Sequence, residues 1–419
     1  MPSPALPIDE RGPELSLLAL ADENLEEIFL NLPGPAALAR ASTSCASFRR
    51  VITERAFLRR FRKLHPPPLL GLVDEEGVFL PAQAPHPSAP LSRALVDAAD
   101  FTYSFVPKPD NGGTRTWFPR DARGGRVLLE HSSRFFVLKT VFTDLAVCDP
   151  LSRRYVLLPS IPEDMAIQEE HLLEFRPMLA PIGEDEGETS FKVFCVARYR
   201  SKVASFLFSS VTGQWCVAAS SSWSSMGAVE PTWKRMYRVN YFRGCFYWTD
   251  LWSDKLLVLD TGIMEFSTVD VLTGYHVQLR NQPGLSVCMS IIVDGTKGAL
   301  EMLTLVGDYS PTSFSLYHTV QQDNGGSSNE WQLKNVMELP RRWLCSTICA
   351  TEGFLFLRCV REARWDDNAL GLLPEDNLIN LFSLEVKTFE LKQVCTAKYH
   401  PNCVHSYFGF PPSLSKPSL

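Results

Sequence analysis

Two periodicities divide the chain. Between Leu20 and Leu64 apolar residues recur at helical spacing; beyond about Asp100 they come in short runs between turn residues. Leu25, Ile28, Phe29 and Leu32 stand at i, i+3, i+4 and i+7, which predicts a helix with all four on one face. Asp22 is the expected N-cap, with Glu23, Glu26 and Glu27 near the positive end of the helix dipole. Pro33-Gly34-Pro35 ends that helix. Ala37, Leu38 and Ala41 predict a short second helix. Ser42 or Ser44 is positioned to cap a third, with Cys45, Phe48, Val51 and Ile52 on its apolar side. A fourth carries Phe57, Leu58, Phe61 and Leu64 and stops at Pro66-Pro67-Pro68.

The second periodicity predicts strands. Phe101 to Val106, Val127 to Leu129, Phe135 to Leu138, Phe191 to Ala197, Ala204 to Phe208, Cys245 to Trp248, Leu256 to Leu259, Leu300 to Leu305, Phe354 to Leu357 and Ile379 to Leu384 are rich in β-formers and bounded by Gly, Asp, Asn or Ser. A loose repeat runs through them, a strand entering a polar turn and leaving it at a bulky residue: Leu145 to Tyr155, Phe206 to Trp215, Leu257 to Phe266, Phe314 to Trp331 and Phe382 to Phe389. A glycine followed by apolar β-formers precedes most of these, at Gly125, Gly244, Gly298 and Gly353. A small sheet cannot bury both faces alone, whereas radial stacking covers them and leaves short edges. The expected fold is therefore a small all-α bundle followed by a mainly β domain, a β-propeller of about six blades. Five or seven blades and a β-sandwich pair are the alternatives.

The implied organisation is an N-terminal stretch at 1–19, a helical domain at 20–65, a proline-rich spacer at 66–99, a propeller-like domain at 100–411 and a tail at 412–419. The prolines at 66, 67, 68, 81, 85, 87 and 90 motivate the spacer. A bundle of that size sits near the limit at which a domain covers its own apolar faces, so a partner surface is expected over it.

Composition narrows the classes. The 419 residues are 45% hydrophobic and 21% charged, enough for packed cores. A net charge of −6 argues against a general nucleic-acid binder, which needs a concentrated basic face. Locally, Arg40, Arg49, Arg50, Arg55, Arg59, Arg60, Arg62 and Lys63 face only Glu54, which reads as a solvated face, a docking surface for an acidic protein or, last, a nucleic-acid contact. No apolar run approaches the ~20 residues of a membrane span, and no signal peptide is evident. Eleven cysteines without CxxC pairs read as reduced thiols, hence a cytoplasmic or nuclear location.

Leu20, Leu25, Glu27-Ile28-Phe29, Leu32-Pro33, Ala37-Leu38, Arg40, Cys45 and Phe48-Arg49-Arg50-Val51-Ile52 fall in an order that resembles the F-box. Leu20-Ala21 stands where that family has Leu-Pro, and Phe48 where it has Trp. The resemblance implies docking on a Skp-type adaptor and, through it, on a cullin in an SCF ubiquitin ligase. The adaptor contacts it implies are Leu20, Leu25, Ile28, Phe29, Leu32, Pro33, Leu38, Cys45, Phe48, Val51 and Ile52. The strand-rich part, through Asp149-Pro150-Leu151-Ser152-Arg153-Arg154-Tyr155 and Gly244 to Trp248, is similar to the kelch-like propellers behind plant F-boxes.

Chemistry-bearing motifs are sparse. There is no Gly-rich phosphate loop, HExxH, GxSxG or kinase set, and the expectation is a non-catalytic receptor without cofactor or metal. Cys395, His400, Cys403 and His405 are four metal-type ligands close in sequence, but their spacing fits no standard zinc finger. Cys345 and Cys349 read as buried thiols. Gly183 to Glu188 and Gln321 to Asn329 read as solvated loops. The candidate substrate-binding residues are the loop aromatics Trp223, Trp233, Trp252, Tyr309 and Trp365. Together these give a receptor whose helices hold an adaptor and whose propeller binds a target for ubiquitination. The alternative is a propeller enzyme or a carbohydrate- or ligand-binding module with a helical cap.

Overall fold

A computed structural model describes residues 20–108, 116–132, 142–165, 172–180, 190–227, 238–249, 255–271, 273–282, 285–293, 300–308, 313–322, 330–341, 343–351, 353–361, 378–398 and 403–409. The chain divides into two units, Met1–Pro68 and Leu69–Leu419.

The first unit holds four helices, Asp22–Leu30 (α1), Pro35–Ser44 (α2), Ala46–Ile52 (α3) and Arg55–Leu64 (α4). Leu25, Phe29, Leu30, Leu38, Val51, Ile52, Phe57 and Phe61 form its core, and Phe29 meets Phe48 and Phe57 edge-on. Burying each such side chain stabilises the unit by about 1.5–3 kcal/mol before chain entropy is counted. Two capping expectations are corrected. Ala21 occupies the N-cap of α1, and Asp22 instead accepts two 2.7 Å hydrogen bonds from Arg50 on α3. Helix α3 is capped by Cys45, whose sulfur accepts from the Phe48 amide, rather than by a serine. Arg60 pairs with Glu26 and Glu27 of α1, so part of the basic run ties the bundle together.

The second unit begins at once with strands Leu69–Asp74 (β1) and Phe79–Pro81 (β2), then helix Ala89–Ala98 (α5). This corrects the proline-rich spacer at 66–99 and the propeller boundary at 100. Residues 101–106, expected as a strand, form turns. Five four-stranded antiparallel sheets follow. Their strands are Thr116–Arg123 (β3), Arg126–Ser132 (β4), Leu145–Asp149 (β5) and Arg154–Leu157 (β6); then Glu174–Leu179 (β7), Lys192–Arg198 (β8), Lys202–Ser209 (β9) and Gln214–Ser222 (β10). The third sheet is Arg238–Phe242 (β11), Cys245–Thr249 (β12), Lys255–Asp260 (β13) and Glu265–Asp270 (β14). After helix Tyr275–Asn281 (α6) come Leu285–Val293 (β15), Glu301–Asp308 (β16), Phe314–Gln322 (β17) and Glu330–Glu338 (β18). The fifth is Trp343–Thr351 (β19), Phe354–Arg361 (β20), Ile379–Glu385 (β21) and Leu391–Ala397 (β22). The last strand, Val404–Phe408 (β23), pairs with β1, which pairs with β2, so both ends of the unit build the sixth blade.

The unit is a six-bladed β-propeller. A separate apolar cluster fills each junction between neighbouring blades, including the one that joins the sixth to the first. The sequence repeat is the outer hairpin of each of the first five blades. Asp149 and Asp260 start equivalent turns by accepting backbone amides through their carboxylates, and Arg153, Gly213, Met264 and Phe389 take the left-handed position that ends them. Two residues later come Tyr155, Trp215, Phe266 and, in the fifth blade, Leu391. Phe389 is therefore a turn residue there, not the strand aromatic. Trp215 and Trp331 lock neighbouring blades by donating from Nε1 to the carbonyls of Pro159 and Asp270.

Cys345 and Cys359, opposite each other on β19 and β20, form a disulfide, which corrects the expectation of reduced thiols for these two. Among the described residues, no helix is long and apolar enough to cross a membrane.

Candidate functional site

The first strand of each blade runs along the propeller axis, and neighbouring first strands approach one another there. A cavity of about 60 Å³ lies between β3, β7, β11, β19 and β23. Its charged lining comes largely from a bulge. The pairing of β3 with β4 shifts register between Pro119 and Asp121, and Arg120, Asp121, Ala122 and Arg123 all line the space. An extra residue of this kind re-aims side chains that strict alternation would send to opposite faces. A second shift, between Thr347 and Cys349 of β19, brings Cys349 and Ala350 to the same cavity. Arg176 of β7, Tyr241 of β11, Thr351 of β19, and Cys403, His405 and Ser406 at β23 complete the polar lining.

Several of these groups have a defined setting. Arg120 donates from Nε to the buried Glu130, whose other carboxylate oxygen accepts from Thr143 Oγ1 at 2.6 Å. Arg123 lies over the Tyr241 ring at 5.5 Å. Asp121 accepts from the amides of Ala122 and Leu179, each at 2.8 Å. Its pKa is nevertheless raised, because burial outweighs the charges of Arg123 and Arg176 and those hydrogen bonds. His405 Nδ1 is 3.8 Å from Asp121 Oδ1, beyond hydrogen-bond length. Burial first, then Arg176 and Arg120, push the His405 pKa down to about 3, so the imidazole is neutral at pH 7. The result is a small, partly desolvated space with three guanidinium groups, one carboxylate and one neutral imidazole at its wall.

Sequence reasoning missed this site, since no motif joins residues so far apart; of its lining, His405 and Cys403 were singled out only as metal-type residues and Cys349 only as a buried thiol. The expected companions of His405 are dispersed: Cys395 packs in the cluster between the fifth and sixth blades, Cys403 lines the cavity, and His400 lies outside the described residues. Of the candidate recognition aromatics, Trp223 is corrected. It is buried between the second and third blades and donates from Nε1 to the Tyr199 carbonyl at 3.1 Å. Trp233, Trp252, Tyr309, Trp365, the Gly183 to Glu188 loop, residues 323–329 and residues 135–138 lie outside the described residues.

On the helical unit the eleven candidate contacts separate into three groups. Leu25, Phe29, Leu38, Val51 and Ile52 point into the unit's own core. Leu20, Leu32 and Phe48 pack half-buried at its edge, and Cys45 is the half-buried cap of α3. Ile28, 41% exposed, and Pro33 lie at the surface.

No protein-family model and no curated protein matches the chain. Solved structures do. An α-L-arabinanase from Penicillium chrysogenum is 14% identical with a TM-score of 0.32, over 70% of this chain and 95% of that one. The α-L-arabinofuranosidase of Fusarium graminearum is 12% identical, TM-score 0.32, over 66% and 90%. Prolyl oligopeptidase B from Galerina marginata is 9% identical, TM-score 0.31, over 73% and 40%. At such values the likeness carries no argument about activity, and a fold does not by itself specify a function. The expectation of a non-catalytic chain is corrected all the same: the matched structures bear the names of enzymes, and that exclusion is withdrawn.

Proposed function

We propose that the helical unit is a docking module of F-box type, which binds a Skp-type adaptor and so brings the propeller, and whatever the propeller holds, to a cullin-based ubiquitin ligase. The observation that supports this reading is the division of the F-box-like residues: five of them close a small core, while Ile28 and Pro33 stay on the surface around the end of α1. A surface isoleucine costs little in the free chain and contributes about 1.5–3 kcal/mol when a partner covers it fully. Ligation would follow from proximity, by raising the effective concentration of a target lysine near the conjugating enzyme. The test is co-purification of the full chain with a Skp-type adaptor. Wild type is expected to bind, and Ile28→Asp to bind at least tenfold more weakly with its helical content unchanged. Failure of wild type to bind where a control F-box protein binds removes the reading.

A second reading is favoured by the axial cavity: the propeller is a ligand-binding module. A concave space with convergent charged groups and titrating residues moved from their usual range is where a small ligand is bound by default. A thermal-shift panel of small acids, sugars and amines on the full chain tests it, a saturable response to any of them being the supporting result.

A further inference from the structure

We infer that the outer hairpin of the fourth blade, β17 with β18, is an acid-sensitive latch, which opens locally when His276 and His318 take up protons. The inference goes beyond both readings above and needs neither. Two buried histidines hold consecutive positions of β17 from opposite sides. On the side of the third blade, His276 of α6 is 5% exposed; its Nε2 stands 2.8 Å from Thr319 Oγ1, and its ring meets that of Trp331 at 5.5 Å. Helix α6 starts close against β18, since a Cβ on Gly274 would lie 2.5 Å from the Trp331 carbonyl oxygen. On the side of the fifth blade, His318 is 2% exposed and its ring lies 5.2 Å from that of Phe389. Its Nε2 is 2.6 Å from Glu301 Oε2, and Glu301 Oε1 accepts from Lys334 Nζ at 2.8 Å. One buried carboxylate thus ties β16 to both strands of the hairpin.

Both rings are neutral at pH 7 in the closed hairpin, and each resists a proton for a structural reason. Glu301, already the acceptor for Lys334, also accepts from His318 Nε2, which leaves Nδ1 buried with no hydrogen-bond partner among the described residues. A proton there would be a donor without an acceptor, on a ring whose carboxylate is already shared with a lysine. Burial first, then Lys334, lowers the His318 pKa against the pull of Glu301. On the fifth-blade turn that carries Phe389, Glu385 accepts from Thr388, Glu390 pairs with Lys392, and Lys387 is exposed. Burial alone pushes His276 down to about 4, with no contribution from Arg280 of its own helix or Glu330 of β18. β15 and β19, which also pack on these elements, carry no charged residue. Once the hairpin opens, both rings meet water and titrate near the ordinary 6.5. The closed form is therefore fully supported above that pH and loses support as the pH falls below it. His276 alone makes opening roughly twentyfold more frequent at pH 5 than at pH 7, and His318 adds to it. Opening also frees Trp331, which is fully buried and donates to the Asp270 carbonyl, so the seam with the third blade parts.

Hydrogen exchange of the full chain, read by mass spectrometry at pH 7 and pH 5 and corrected for the intrinsic exchange rate, tests it. In peptides covering Phe314–Gln322 and Glu330–Glu338 the opening constant is expected to rise by roughly tenfold or more, and by more than in Ile379–Glu385 of the fifth blade. His276→Gln and His318→Gln, which keep a donor near the Nε2 position, are each expected to cut the rise several-fold, and the double variant to remove most of it. Should those variants fail to fold, Lys334→Met decides, at a side chain that is 42% exposed. Without the lysine, Glu301 can hold a proton on His318 in the closed form, so the ratio between the two pH values is expected to shrink. A merely structural ion pair would instead raise opening equally at both and leave the ratio as in wild type. A smaller rise in the wild-type hairpin, an equal rise in the fifth blade, or a wild-type ratio in the double variant or in Lys334→Met overturns the inference.

Discussion

His405 carries two consequences at the level of a single side chain. Its folded pKa of about 3 lies below the ordinary histidine value near 6.5, so below that value the unfolded chain takes up a proton that the folded chain refuses. The stability it supports is present above pH 6.5 and is lost as the pH falls toward 3. His276, pushed to about 4 by burial beside Thr319, acts in the same direction. Each is expected to cost about 2 kcal/mol between pH 7 and pH 5. Asp121, with its raised pKa, works the other way and favours the fold on the acid side. Chemical denaturation of His405→Asn at both pH values isolates one contribution, and a loss about 2 kcal/mol smaller than in wild type is expected; an unchanged slope would place the acid sensitivity elsewhere. Trp223 supplies a contrast. Because its indole N–H serves the buried Tyr199 carbonyl, Trp223→Phe is expected to lower propeller stability by about 1–3 kcal/mol, read from the denaturation midpoint.

Among the elements, α1 and the outer hairpins show what a local pattern can and cannot disclose. The apolar spacing at Leu25, Ile28, Phe29 and Leu32 marks a helix because its period is local. Which of those residues faces a neighbouring helix depends on contacts 20 to 35 residues away, and Leu32 proves to be part of the bundle while Ile28 is not. Leu32→Asp is accordingly expected to lower the melting temperature of the helical unit, whereas Ile28→Asp leaves it unchanged; circular dichroism of the two variants side by side checks the distinction. The N-cap of α1 was obscured for the same reason, since Asp22 is drawn to Arg50, 28 positions on. In the hairpins the strand, turn and bulky residue were legible as a repeat. The left-handed turn position was not, because Gly213 declares it while Arg153, Met264 and Phe389 do not. The axial charges left no sequence signal at all: a bulge in β3 and residues of β7, β11, β19 and β23 meet only once the ring closes.

For the whole molecule the decisive feature is that closure. Prolines at 66 to 68 and 81 to 90 suggested a spacer, but Pro81 sits at the end of β2, an outer strand where a missing amide is tolerated. The partner that makes β1 a strand lies at the opposite end of the chain: Leu72 faces Ser406 and Val73 faces His405. Leu69, Leu72 and Leu80 pack toward the fifth blade, Leu70 and Val73 toward the first. At about 1.5–3 kcal/mol each, these five side chains contribute roughly 7–15 kcal/mol, as much as the whole net stability of a typical domain. Gly71 adds a steric requirement, since a Cβ there would stand 2.4 Å from the Leu80 carbonyl oxygen. A chain that starts at Leu69 is therefore expected to fold with a cooperative transition. A chain that starts at Asp100, at the boundary the prolines suggested, is expected to lose β1, β2 and the cavity wall at β23 and to show no such transition. Scanning calorimetry on the two truncations decides it: cooperative melting of the shorter chain would mean that the ring closes without the strands from the amino-terminal side.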